Sequence, residues 1–93
     1  MNPSTQNQNE IHNTINKIIH EILNYNLEIL NDEDLVSIGL DSLKTINLIV
    51  QLEEIYGIEF DDEELIFENF SSINVIAEHI TNKFSLNELT LGN

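Results

Sequence analysis

The sequence predicts an all-α fold: a small four-helix bundle, three principal helices plus one short helix, with a long loop between helices one and two. Three observations carry that expectation. Apolar residues recur at helical spacing in three stretches, capping residues stand at stretch ends, and no stretch sustains the alternation that a half-buried strand needs. With 93 residues and no internal repeat, the chain is one small domain with loose ends and a modest core.

Residues 1–10 are polar and aperiodic and contain the only proline, Pro3. They are expected to form a disordered N-terminal arm. From Ile11 the pattern changes, because Ile11, Ile15, Ile18, Ile19, Ile22 and Leu23 recur at helical spacing, defining helix one up to about Asn24. The loop to Leu40 carries Leu27, Ile29, Leu30, Leu35, Val36 and Ile38, which are expected to pin it to the core. Asn31 or Asp32 is a candidate cap for a short turn through Leu35, and Gly39 supplies backbone freedom before the next helix. Helix two is predicted over Ser42 to Tyr56, with Asp41 as N-cap and Gly57 as the closing C′ residue. Ile58 to Phe60 reads as an extended link, and Asp61-Asp62-Glu63-Glu64 as the acidic start of a brief helix through about Phe67. Ser71 is the expected cap of a last helix, Ser72 to Phe84, with Ile73, Ile76, Ala77 and Ile80 as its apolar stripe. Residues 85–93 read as frayed coil, leaving 11–84 as the folded domain.

On a helical wheel, helix two has two apolar faces. Thr45, Leu48, Ile49, Leu52, Ile55 and Tyr56 form the broad face expected to meet the core. Leu43, Ile46 and Val50 form a second stripe roughly opposite, with Glu53 on its edge. A bundle helix needs one apolar face, so the second is either a docking surface beginning beside Ser42 or a surface that the long loop folds over.

Composition removes several function classes. The formal net charge is −14, with three cationic side chains against seventeen carboxylates. Nucleic acid and anionic lipid are therefore poor partners, and basic protein surfaces good ones. The absence of cysteine excludes a disulfide framework or a thiol nucleophile. No apolar run approaches the roughly 20 residues of a membrane span, and the N-terminus lacks the pattern of a signal peptide. The expectation is a soluble cytoplasmic protein.

The stretch that organises the rest is Gly39-Leu40-Asp41-Ser42-Leu43. It sets one hydroxyl at the positive end of a helix dipole, where outward N–H groups favour an anion. A serine there can be a nucleophile, a helix cap or an acceptor for a phosphate-linked group. Hydrolase chemistry would need flanking glycines on a strand-to-helix turn and a partnering base, and Leu40 stands where the first of those glycines would be. The acidic runs at 31–34 and 61–64 lack the glycine of a calcium loop. His12, His20 and His79 have no metal-ligand spacing, so no catalytic or metal residue is predicted. Tyr25, Phe60, Phe67, Phe70 and Phe84 read as core plugs.

At these residues the chain resembles the acyl carrier protein family, the phosphopantetheine-binding carriers of fatty-acid, polyketide and non-ribosomal peptide assembly. Gly39-Leu40-Asp41-Ser42-Leu43 is similar to the family's attachment motif, and Leu52-Glu53-Glu54-Ile55-Tyr56-Gly57-Ile58 to the end of its second helix. Asp61 to Leu65 and Phe70-Ser71-Ser72-Ile73 with Ile76 resemble its third and fourth helices. The resemblance spans about Ile11 to Phe84. It implies a carrier that is not an enzyme, with 4′-phosphopantetheine from coenzyme A attached to Ser42 by a separate Mg²⁺-dependent phosphopantetheinyl transferase. The thiol of that arm would hold acyl or aminoacyl cargo as a thioester. Asp41, Leu43, Ile46, Val50, Glu53 and Glu54 would be read by the transferase and by basic loading and condensing enzymes, with the carrier a monomer. Lys44 and Asn47 stand where fatty-acid carriers usually place acids. That departure points to a stand-alone carrier in a specialised pathway, with a housekeeping fatty-acid carrier as the alternative. A different class also stays open: an acidic helical interaction module without a prosthetic group, in which Ser42 is merely a helix residue. A phosphorylation switch at Ser42 is a third reading.

Overall fold

The computed structural model of the chain describes residues 3–91, with side chains at 10–66 and 68–84. Three α-helices account for most of them: α1, Pro3–Leu23; α2, Ser42–Tyr56; and α3, Ile73–Leu91. Two short 3-10 turns, Asp62–Glu64 and Phe67–Phe70, lie between α2 and α3. The predicted all-α bundle with a long first loop is therefore present, and α1 packs against both α2 and α3.

Three boundaries differ from expectation. Helix α1 reaches back to Pro3 and α3 runs on to Leu91, where an arm and a frayed tail were predicted. Extending a helix already nucleated by packed turns costs little, and proline is tolerated in a first turn where its missing N–H has no partner to lose. The brief acidic helix is instead two 3-10 turns broken at Leu65 and Ile66. The cap of α3 also shifts by one residue. The Ser72 hydroxyl accepts from the Val75 N–H at 3.3 Å, while the Ser71 hydroxyl donates back to the Glu68 carbonyl at 3.0 Å.

The core is built from Ile11, Ile15, Ile18 and Ile19 of α1, Leu48 and Leu52 of α2, and Ile73, Ile76, Ala77 and Ile80 of α3. Ile29, Leu35 and Leu40 plug it from the first loop and Ile58, Phe60 and Phe70 from the second connection. Phe60 and Phe70 meet edge to face at 5.5 Å. Tyr25 and Phe84 are only half-buried against this core, and the Phe67 side chain lies outside the described ones.

The first loop is held by fewer side chains than predicted, since Leu27, Leu30 and Val36 are exposed. Backbone hydrogen bonds replace them. Leu35 N–H donates to the Ser71 carbonyl and Asn74 N–H to the Asn31 carbonyl, both at 2.9 Å. Asn16 Nδ2 donates to the Ile29 carbonyl at 3.2 Å, and the His20 Nε2 lies 2.8 Å from the Leu27 carbonyl oxygen. A loop tied through its main chain satisfies groups that would otherwise be stranded near the core, and it delivers Gly39 to a fixed place.

Candidate functional site

Leu40 is the anchor of the site. Its side chain is 1% exposed, so the chain is pinned one residue before Asp41. Gly39 precedes it at φ +117°, a conformation that L side chains rarely adopt. From this pivot the backbone extends through Asp41, whose carboxylate accepts from the Lys44 N–H at 2.9 Å. The Asp41 carbonyl accepts from both the N–H and the hydroxyl of Thr45, at 2.8 and 2.7 Å. The predicted N-cap is thus in place. At the other end Gly57 adopts the left-handed conformation at φ 62° and closes α2 as expected.

Ser42 is the first residue of α2 and is exposed. Its hydroxyl sits at the positive end of the helix, beside a carboxylate already committed to capping. The Lys44 ammonium lies 3.9 Å from Asp41 Oδ2, a solvent-exposed pair. His12, His20 and His79 are engaged at Asn74, at the Asn16 and Leu27 carbonyls, and beside Glu64. None is placed as a base for Ser42. Among the described residues no group of His, Cys, Asp or Glu could hold a metal ion.

The two faces of α2 separate as predicted, with one correction. Thr45, Leu48 and Leu52 are buried, and Ile49 and Tyr56 are half-buried. Ile55 was expected on the core face but is 53% exposed; it lies in the last turn of α2, beyond Leu52, the last buried residue of the helix. Leu43, Ile46 and Val50 are 79%, 57% and 47% exposed, so the loop does not fold over the second stripe. Glu54 is exposed beside it, whereas Glu53 turns inward and accepts from the Phe60 N–H at 3.0 Å. Glu53 therefore has a structural task in addition to any recognition role.

Sequence reasoning missed an apolar groove of about 290 Å³ that opens at Ser42. It runs between α2 and the second connection, lined by Ser42, Thr45, Ile46, Ile49, Leu65, Ile66 and Phe70. Leu65 and Ile66 are distant in sequence from Ser42, and only the turn geometry brings them there. The sole sequence signal was a pair of apolar residues directly after an acidic run.

Residues 13–80 match the family described as PP-binding, phosphopantetheine attachment site. An acyl carrier protein of Buchnera aphidicola subsp. Acyrthosiphon pisum is 40% identical over 75 residues, covering 78% of this chain and 91% of the relative. The acyl carrier protein of Buchnera aphidicola subsp. Schizaphis graminum is 35% identical over 81% of this chain and 95% of the relative. Among solved structures, a chain of Bradyrhizobium japonicum glycine:[carrier protein] ligase complexed with glycylated carrier protein superposes with TM-score 0.60 at 27% identity. That match covers 75% of this chain and 97% of the other. A chain from the structure of the same ligase complexed with its cognate carrier protein and an analogue of glycyl adenylate gives TM-score 0.65 at 22% identity over 81% of this chain and 96% of the other, a likeness of fold alone.

The residues present fit a phosphodiester-linked arm. An exposed hydroxyl stands at the positive end of α2, one flank opens to solvent, and an apolar groove opens on another. The chain belongs to the acyl carrier protein family, non-enzymatic carriers whose prosthetic group is 4′-phosphopantetheine.

Proposed function

We propose that Ser42 is the attachment residue, that 11–84 is the carrier domain, and that the protein works as a monomer in the cytoplasm. The observation that carries the reading is the placement of the Ser42 hydroxyl, exposed at the first residue of α2 and on the rim of the apolar groove. The prosthetic group supplies a terminal thiol that carries acyl or aminoacyl cargo as a thioester. The chain's own residues present, orient and shield. Asp41 fixes the first turn of α2, which holds the hydroxyl outward for the transferase. The Lys44 ammonium offsets negative charge beside the attachment point. Leu43, Ile46 and Val50, with Glu54 and the outer edge of Glu53, form the surface that loading and condensing enzymes engage through apolar and basic patches.

We infer a stand-alone carrier of a dedicated pathway. Lys44 and Asn47 in place of acids support this, as does the likeness to a chain from a complex with glycylated carrier protein. The apolar groove favours a second reading, a fatty-acyl carrier, in keeping with relatives named acyl carrier protein. Intact-mass analysis after incubation with coenzyme A, Mg²⁺ and a broad-specificity transferase tests the attachment. The parent is expected to gain one phosphopantetheine and Ser42→Ala none. No gain in a folded parent, with a known carrier modified in parallel, would leave an acidic interaction module as the better account.

A further inference from the structure

Between the buried rings of Phe60 and Phe70, none of the described side chains, those of residues 61–66, 68 and 69, is buried. The side chains of Asp61, Asp62, Glu63, Leu65, Ile66 and Glu68 are all exposed. Glu64 ties this segment to α3 through its side chain. One of its carboxylate oxygens, Oε1, accepts from the Asp61 N–H at 2.8 Å and from the Lys83 ammonium of α3 at 2.6 Å. The other faces His79 Nδ1, also on α3, at 3.8 Å. The Glu64 carbonyl accepts from Asn69 Nδ2 at 2.8 Å, bracing the turn from its far side. Lys83 is enclosed, with 15% of its side chain exposed, and its ammonium lies 5.2 Å from the centre of the Phe60 ring.

Leu65 and Ile66 follow Glu64 directly and form the wall of the groove that faces α2. We propose that the Glu64–Lys83 pair is a clip that positions this wall, and so sets how well the groove shields a long apolar cargo. This rests on the reading of Ser42 and its groove given above. Glu64 and Lys83 are positioning residues, since neither lines the groove. The wall residues are 44% and 50% exposed, so a chain entering between α2 and the wall displaces no packed core. It works instead against a polar tie between two elements.

The test loads the chain from octanoyl- and from acetyl-coenzyme A with a transferase and follows thioester release by hydroxylamine. Lys83→Met is expected to speed octanoyl release by roughly three- to tenfold, the range set by the net worth of an ordinary hydrogen bond, and to leave acetyl release unchanged. Lys83→Arg, which keeps a cationic donor for the Glu64 carboxylate, is expected to hold octanoyl release near the parent rate. Equal octanoyl rates in parent and Lys83→Met, or equal acceleration of both cargoes, would overturn the clip. A parent that takes no group, seen by mass before any release is measured, would overturn the Ser42 reading instead. The clip is then judged on the unloaded chain. Leu65 and Ile66 methyl resonances that shift in Lys83→Met and stay near the parent's in Lys83→Arg support it, and resonances unmoved in Lys83→Met reject it.

Discussion

At the scale of single residues, the site depends on two backbone devices that flank Leu40. Gly39 is held at φ +117°, and a Cβ there would meet nothing nearer than Leu23 Cδ2 at 3.8 Å. The obstacle to a side chain is therefore conformation and not space. Gly39→Ala is expected to lower stability by about 1–3 kcal/mol, measured by urea unfolding, and an unchanged midpoint would show that the turn relaxes freely. Asp41 caps α2 through a single hydrogen bond to Lys44 N–H, so Asp41→Ala is expected to cost about 1 kcal/mol in the same assay. Both residues were legible in the sequence, because a glycine before an Asp-Ser pair at the head of an amphipathic run is a local signal. The inward turn of Glu53 was not. Its partner is the Phe60 N–H, and a wheel that places Glu53 on an outer edge carries no information about a chain that folds back beneath it.

At the scale of the element, α2 shows what periodicity can and cannot settle. Its ends and its two apolar faces follow from the spacing of its own residues. Whether the second face is covered depends on where the first loop lies, and the structure leaves it open. The energetic contrast is measurable. Leu48→Ala removes a fully buried side chain and is expected to cost about 2–5 kcal/mol. Leu43→Ala, at 79% exposure, is expected to stay within about 0.5 kcal/mol of the parent while slowing modification by the transferase. A Leu43→Ala chain that unfolds early would mean that the stripe is structural.

The second connection is the element that the sequence concealed. Its acidic start suggests one short helix, but the segment forms two 3-10 turns, and Glu64 at the end of the first meets Lys83 of α3. Burial alone would push the Glu64 carboxyl up. The Lys83 hydrogen bond, the Asp61 N–H and the charges of Lys83 and His79 outweigh burial and hold it below the ordinary glutamate value. A carboxyl depressed on folding contributes stability above its unfolded pKa and loses it as pH falls through its folded pKa. The stability gap between the parent and Glu64→Gln is thus expected to be full near neutrality and to close on acidification through that range. A gap independent of pH would show that the ion pair contributes nothing to stability.

For the whole molecule, the prevailing physical feature is a formal charge of −14 on 93 residues. Self-repulsion of that charge works against a small core and is screened by salt. Thermal unfolding at neutral pH is therefore expected to rise with added sodium chloride, and a midpoint insensitive to salt would show that the carboxylates are too dispersed to matter. The order of the helices and the class of the fold were legible because each helix declares itself within its own span. The extensions of α1 to Pro3 and α3 to Leu91 were not, since residues without sustained periodicity can continue a helix that packed neighbours have started. The groove at Ser42 was also hidden, because it joins residues from two separate elements.

The proposed carrier function rests on one hydroxyl, that of Ser42, as the acceptor of phosphopantetheine. Fragmentation mass spectrometry of the transferase-treated parent locates the added group most directly, because Ser37 and Thr45 offer other hydroxyls nearby. The whole of the added mass is expected on Ser42, with the Ser42→Ala chain unmodified. Mass on Ser37 or Thr45, or on Ser42→Ala, would contradict that assignment.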